Sequence, residues 1–301
     1  MRMRDLGEWG AVSRICQLLG IEMEDCARLP MGPDYLLVTT DMMAQSTDMP
    51  PGMSPWQAGW YLVAMNLSDI AAKGGRPLCL VASLGMPPDY GSDQLDDIIT
   101  GMRTCAARFG TSIVGGDTNE QGELTLCGTG VGIVPQGEFM PRKGARVGDV
   151  VAVTGELGGA AAAFYSGKGK RLMEPWPRIA EGRALSKTHA ITSSMDLSDG
   201  LAISLHQLCE LNGVGFEVDW ERMPMSKDVP GDEVRAREMV LYWGGDYELL
   251  VTIKPDKLQE AKGAASITPL GRVTPAGIVL LSGGKRMPIE RRGYEHWSGG
   301  R

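Results

Sequence analysis

The stretches "SSMDLSDGL" (residues 193–201) and "MNLSDIAAKGG" (residues 65–75) carry the same tripeptide, Leu-Ser-Asp, about 130 residues apart. In both, an apolar run gives way to small helix-forming residues. A serine or aspartate there reads first as a helix N-cap, because its side-chain oxygen accepts a free N–H of the first turn. The second stretch adds Asp196 beside Asp199, and two carboxylates so close repel unless a cation or an array of donors holds them. The expectation is that each tripeptide opens a helix and presents an acid there, at a helix terminus suited to anionic groups.

Working outward, "LGEWGAVSRICQLLG" has helical spacing and ends at Gly20, and "YLLVTTD" is a β-rich run leading to an acid. Residues 56–73 read as an Ala-rich helix, "PLCLVASLG" as a buried strand, and 92–109 as an amphipathic helix. "TSIVGGDT" and "ELTLCGTGVGIVP" read as strands joined by a glycine turn. The Pro-, Gly- and charge-rich segment "GEFMPRKGARVGD" (137–149) then marks a boundary near residue 140, giving domains 1–140 and 141–301. Beyond it come a strand (149–154), a glycine-rich turn with a helix, strand "SSMDL", a helix from Ser198, strand "VGFEVDW", a helix, strand "YELLVTI", a helix and strand "ITPLGRV". The alternation predicts two mixed domains of α/β or α+β layers.

Composition narrows the chemistry. Thirty basic and thirty-seven acidic residues give a net charge of −7, which argues against a nucleic-acid surface. No run approaches a membrane span, and "MRMRDLGEWG" lacks the apolar core of a signal peptide, so a cytoplasmic protein is expected. The six cysteines form no CxxC pair, the three histidines form no pair at ligand spacing, and there is no GxSxG elbow. "TGELGGAAAAF" suggests a phosphate-binding turn but lacks both the Walker lysine pattern and the GxGxxG spacing, and close αβ packing explains it as well. What remains is a set of acids at strand ends or beside glycine: Asp25, Asp41, Asp69, Asp117, Asp196 and Asp199. Carboxylates converging in this way suit hard cations such as Mg²⁺, and Mg²⁺ suits phosphoryl transfer.

Taken in order, "EDCARL", "TTDMM", "NLSDIAAKGGRP", "GGDT", "RKGARVGDVVAVTG", "DLSDGL", "GGDYELL" and "RGYEHW" resemble the thiamine-monophosphate kinases, of the superfamily that includes aminoimidazole ribonucleotide synthetase. The resemblance implies transfer of the γ-phosphoryl of ATP to thiamine monophosphate, with Mg²⁺. It implies a homodimer in which the N-terminal sheet joins a barrel across the interface, and no side-chain base. It places Asp25, Thr39, Thr40, Asp41, Asp69, Asp117, Asp196 and Asp199 at metal positions. Gly116, Asp117, Arg142 and Ser198 match nucleotide contacts, and Asp48 and Trp297 the substrate side. Three departures stand out: Glu24-Asp25 replaces paired aspartates, Asp48 stands where histidine is usual, and Gly245 replaces the glutamate of "GGEDYEL". The alternatives are an ATP-using enzyme of the superfamily with a different acceptor, and a catalytically silent metal- or nucleotide-binding subunit.

Overall fold

The computed structural model describes residues 2–167 and 170–297. Its first half runs α1 (Met3–Leu19), β1 (Ala27–Met31), β2 (Asp34–Ala44), α2 (Pro55–Ala72), β3 (Arg76–Met86), α3 (Ser92–Arg108), β4 (Ile113–Glu120) and β5 (Thr125–Pro135). These strands form one open sheet of order β1-β2-β5-β3-β4. The two strands expected to be joined by a glycine turn are therefore not neighbours. β3 lies between them, antiparallel to β5 and parallel to β4.

Helix α2 is the organising element. Ser54 Oγ accepts from the Gln57 amide at 3.2 Å and the Gln57 side chain returns to the Ser54 amide at 3.0 Å, with Pro55 at the first helical position. Its apolar face packs on β5, where glycine recurs at every second position because the helix comes so close. A Cβ at Gly128 would lie 2.5 Å from the Asn66 side chain, and one at Gly132 2.9 Å from Ile70. Asn66 uses that proximity, accepting from the Gly130 amide at 3.2 Å. The helix continues through Asp69 to Ala72, so the first Leu-Ser-Asp lies inside a helix, near its C-terminal end, and caps nothing.

The second half runs β6 (Val150–Thr154), α4 (Gly159–Ser166), α5 (Ile179–Ser186), β7 (Ile191–Asp196), α6 (Leu201–Asn212), β8 (Gly215–Asp219), α7 (Glu233–Arg237) leading into a π-helical turn (Glu238–Tyr242), β9 (Leu249–Ile253), α8 (Leu258–Ala264), β10 (Ile267–Thr274), β11 (Ile278–Ser282) and β12 (Lys285–Pro288). Its seven-stranded sheet has the order β12-β11-β8-β10-β6-β9-β7 and is antiparallel except for the β11–β8 pair. The mixed α/β expectation holds for both halves. α6 begins at Leu201 and not at Ser198: Gly200, at φ 111, is its cap residue, and Ser198-Asp199 form a bend just before it.

Edge strand β7 lies against the C-terminal end of α2. Ser194 Oγ donates to the Ala72 carbonyl at 2.7 Å, and the Lys73 ammonium donates to the Ser194 carbonyl at 2.9 Å. This contact brings the two Leu-Ser-Asp stretches together at one cavity between the sheets.

Candidate active site

A cavity of about 660 Å³ opens at that junction, bordered by the start of β1, the middle of β2, Asp69 of α2, Arg142, the end of β7 and one side of α1. Carboxylate oxygens of Asp25, Asp69 and Asp196 lie within 4.8 Å of one another on its floor. Asp69 is brought there by helix α2, Asp196 by the last residue of β7, and Asp25 by the segment before β1. Ser68 Oγ donates to Asp196 at 2.8 Å, and Thr39 Oγ1 donates to Asp69. Thr39 and Asp41 are two apart on β2 and so share a face. Thr40 faces the other way, and its hydroxyl donates to the Gly128 carbonyl at 2.9 Å, so only its backbone remains for the cavity side.

The acids feel one another. Burial and the Asp25 charge push Asp41 up to about 6, and the same pair of causes pushes Asp196 up to about 7. Burial, then Glu8, pushes Asp199 up to about 8. Asp69 is raised well above the usual carboxylate range by burial, then by Asp41 and Asp196. Asp25 goes the other way. Burial opposes its ionisation, but the nearby Arg142 and Lys73 charges outweigh it and hold the carboxyl low. Lys73, wholly buried, sits 2.7 Å from both Asp25 Oδ2 and Glu24 Oε2. Arg142 Nε donates to Asp25 Oδ1 at 2.7 Å, and its backbone amide donates to Glu24 at 2.8 Å. Asp25 Oδ2 has the Lys73 ammonium as its one close partner among the described residues. Three carboxylates that converge although they repel one another form a donor set suited to a hard divalent cation.

Asp199 and Ser198 border the same cavity. Behind their bend, the Gly245 amide donates to the Ser198 carbonyl at 2.7 Å, and Gly245 sits at φ 89, a backbone conformation that glycine adopts without strain. The next residue, Asp246, settles the reading of "TGELGG". Its carboxylate accepts from the Gly158 and Ala160 amides at 2.6 and 3.0 Å, so the amides of that turn are capped from within the protein. Burial raises Asp246 to about 6.

Gly116 and Asp117 do not join the cluster within one chain. Asp41, Gly128, Ala82 and Gly116 lie in one row across β2, β5, β3 and β4, which puts Gly116 three strand spacings, roughly 14 Å, from Asp41. Asp117 follows it on an exposed edge strand. On the other flank, Asp48 meets the C-terminal segment: Tyr294 Oη donates to Asp48 Oδ1 at 3.1 Å. Trp297 stands at the end of that segment, 49% exposed. Reading the sequence noted Glu24 only as a departure beside Asp25 and missed the roles of Lys73 and Ser68. The one available signal was a lysine flanked by Ala-Ala and Gly-Gly in "DIAAKGG", where neighbours without bulk let a long side chain be enclosed.

Comparison with known proteins agrees with this geometry. Residues 23–134 match the AIR synthase related protein N-terminal domain, and residues 146–282 the corresponding C-terminal domain. A thiamine-monophosphate kinase of Methanospirillum hungatei is 38% identical over 91% of this chain and 93% of its own length. One from Halobacterium salinarum is 39% identical over 79% and 84%. Among solved structures, AaThiL complexed with AMPPCP and TMP superposes with a TM-score of 0.88 at 27% identity, covering 98% of this chain and 99% of that one. The hydrogenase maturation protein HypE of E. coli shares the fold, with a TM-score of 0.73 at 19% identity over 89% of this chain and 91% of its own. With two relatives of more than 30% identity matched along most of their length, the chain belongs to the thiamine-monophosphate kinase family.

Proposed function

We propose that the protein transfers the γ-phosphoryl group of ATP to thiamine monophosphate, giving thiamine diphosphate and ADP. What carries the reading is the match to thiamine-monophosphate kinases along nearly the whole chain, joined to a cavity whose floor is built of carboxylates. The acceptor phosphate is already anionic and nucleophilic, so the site needs no side-chain base, and the work falls to positioning and charge neutralisation. Asp25, Asp69 and Asp196, with Asp41, Thr39, the Thr40 backbone and Asp199, would hold Mg²⁺, which supplies charge neutralisation on the migrating group. Arg142 offers its guanidinium to the nucleotide phosphates, which compete for it with Asp25, and Ser198 stands at the edge of the same space. Asp48 and Trp297 belong to the thiamine side.

The proposal extends to a homodimer. The face of the first sheet away from α2 exposes Met42, Val81 and Val114, the first and last by 65% and 62%, and a second copy packing there would cover them and complete a barrel across the interface. It would also give Gly116 and Asp117 a role, since residues too far from the acids of their own chain can serve those of the partner. We place the division between the halves near residue 140 and the enzyme in the cytoplasm, where ATP is at hand. All six cysteines are free, and no helix among the described residues is long and apolar enough to cross a membrane.

Incubation of the purified protein with ATP, Mg²⁺ and thiamine monophosphate, followed by chromatography, should show thiamine diphosphate formed in step with ADP. ATP turnover without thiamine diphosphate would point to a different acceptor. Sedimentation of an active species at the monomer mass would remove the dimer.

A further inference from the structure

The C-terminal segment crosses from one half of the molecule to the other, and its two ends are held differently. Its base is fixed beside the cavity. Arg292 reaches Glu238 at 2.6 Å and lies over the Tyr242 ring at 4.1 Å. The Tyr294 amide donates to the Asp199 carbonyl at 2.9 Å, and Gly293 is packed so tightly that a Cβ there would stand 2.7 Å from the same carbonyl. Its far end is tied to the first half by polar contacts. Tyr294 Oη donates to Asp48 Oδ1 at 3.1 Å, His296 Nε2 lies 3.6 Å from the same oxygen, and the His296 amide donates to Glu8 at 2.9 Å.

Asp48 is built to receive that end. Its other oxygen, Oδ2, accepts from the Ala44 amide at 2.9 Å and from Thr47 Oγ1 at 2.7 Å, which closes the turn after β2 around the carboxylate and fixes its direction. Both oxygens are thus engaged, and the side chain is only 18% exposed. Trp297 does not anchor the segment. It is half exposed, its backbone is left-handed at φ 65, and its ring stands 6.0 Å from that of His296.

We propose that Asp48 is a positioning residue for the thiamine side: it acts by tying Tyr294 and His296 to the first half of the molecule, and this tie sets where the Trp297 indole stands. The inference rests on the kinase reading above for its substrate and on the contacts of the segment for its mechanism. A carboxylate engaged by two protein elements has little left to offer a ligand directly, whereas an aromatic at the end of a short strap is placed only as well as the strap is tied.

The test compares Asp48→Ala, Asp48→Asn, Tyr294→Phe and the double variant Asp48→Ala/Tyr294→Phe in steady-state kinetics. Each single change should raise KM for thiamine monophosphate by roughly 3- to 10-fold, the scale of a partly exposed hydrogen bond to a charged group, with kcat and the KM for ATP near wild type. The double variant should be no worse than the more damaging single, because both break one tie. If Asp48→Ala raised KM while Tyr294→Phe left it unchanged, or if the two effects multiplied, Asp48 would be meeting the substrate itself and the proposal would fall. A second measurement does not depend on turnover. Amide hydrogen exchange of residues 295–297 in the ligand-free protein should speed up in Asp48→Ala while α2 and α6 exchange as in wild type. Unchanged exchange would overturn the tie. If the wild type failed to phosphorylate thiamine monophosphate, the kinase reading would fail alone, and the exchange result would still decide the strap.

Discussion

The acidic floor of the cavity and the strap that ends at Trp297 meet the same space but are built on opposite plans. On the floor, Asp25 and Asp196 are buried and Asp69 partly so, and each is delivered by a strand end, a helix or a segment locked by Lys73 and Arg142. The strap is half exposed and held by a few polar contacts. The difference teaches where each kind of precision is needed. Charges that repel one another at close range stay together only if the fold imposes it. An aromatic that meets a soft organic cation tolerates a looser mount, and a loose mount lets substrate in and product out.

The comparison breaks most sharply at Lys73. Its wholly buried ammonium neutralises Glu24 and Asp25, so Lys73→Met leaves two carboxylates of little exposure with only Arg142 against them. Removing one partner of a buried pair costs about 3–5 kcal/mol. Denaturant unfolding of the metal-free variant should show a loss of that size, and a change below about 1 kcal/mol would mean that the site relaxes by taking up water.

Next in size is a change with opposite signs for activity and stability. Asp69→Asn should lower kcat by at least about 10²-fold, since it removes a charge from the cation-binding set. Without Mg²⁺ the same variant should melt higher than wild type at alkaline pH, where Asp69 is driven to ionise against its burial and the charges of Asp41 and Asp196. Asp199→Asn should show the same loss of kcat. Near wild-type turnover at saturating Mg²⁺ in either variant would take that residue out of the set.

A gentler effect follows from protonation. Asp41, Asp196 and Asp199 are raised to about 6, 7 and 8 in the folded protein. An unfolded chain has them near the ordinary value, so between these limits the folded state binds more protons and stability falls as pH rises. The stabilising contribution is present in full below about pH 4 and is lost progressively as pH climbs through 6 to 8. Asp25, held low, works in the reverse sense at more acid pH. Metal-free protein should therefore melt lower at pH 8 than at pH 6, and Mg²⁺ should raise the melting temperature more at pH 8. An equal Mg²⁺ effect at both pH values would mean that the acids are already ionised without metal.

How much of this was legible in the sequence follows the same division. The long periodic elements declared themselves: α2, α3, β2, β3 and β5 are apolar enough and long enough for their period to show. β1 ("ARLPM"), β11 and β12 ("KRMP") did not, because they are short and, in β1 and β12, carry proline and charge at sheet edges where pairing tolerates both. The repeated Leu-Ser-Asp pointed to residues that border one cavity, but not by capping helices. Leu67-Ser68-Asp69 lies inside a helix and Leu197-Ser198-Asp199 in the bend between β7 and α6, so the same three letters hold two unrelated backbone conformations. Asp117 could be seen as an acid beside glycine, but its distance from the others depends on strand order, which no local pattern encodes. Lys73 was hidden because a lysine's type speaks for exposure, and only its small neighbours hinted at enclosure.

A smaller effect than those on the floor concerns Trp297 and tests the loose side of the comparison directly. As an anchor for the tail, the indole would be buried, yet it is 49% exposed, while Arg292, Gly293 and Tyr294 already fix the segment. Its π-face is therefore free to meet the cationic thiamine rings, a contact worth about 1–2 kcal/mol once water is excluded. Trp297→Ala should raise KM for thiamine monophosphate by roughly 5- to 30-fold and leave the KM for ATP unchanged, with Trp297→Phe recovering part of the loss because a smaller face remains. The melting temperature should stay within about a degree of wild type, because little buried surface is lost. A fall of several degrees with an intact KM would show the opposite: the indole would be pinning the chain end, and the strap would belong with the rigid floor.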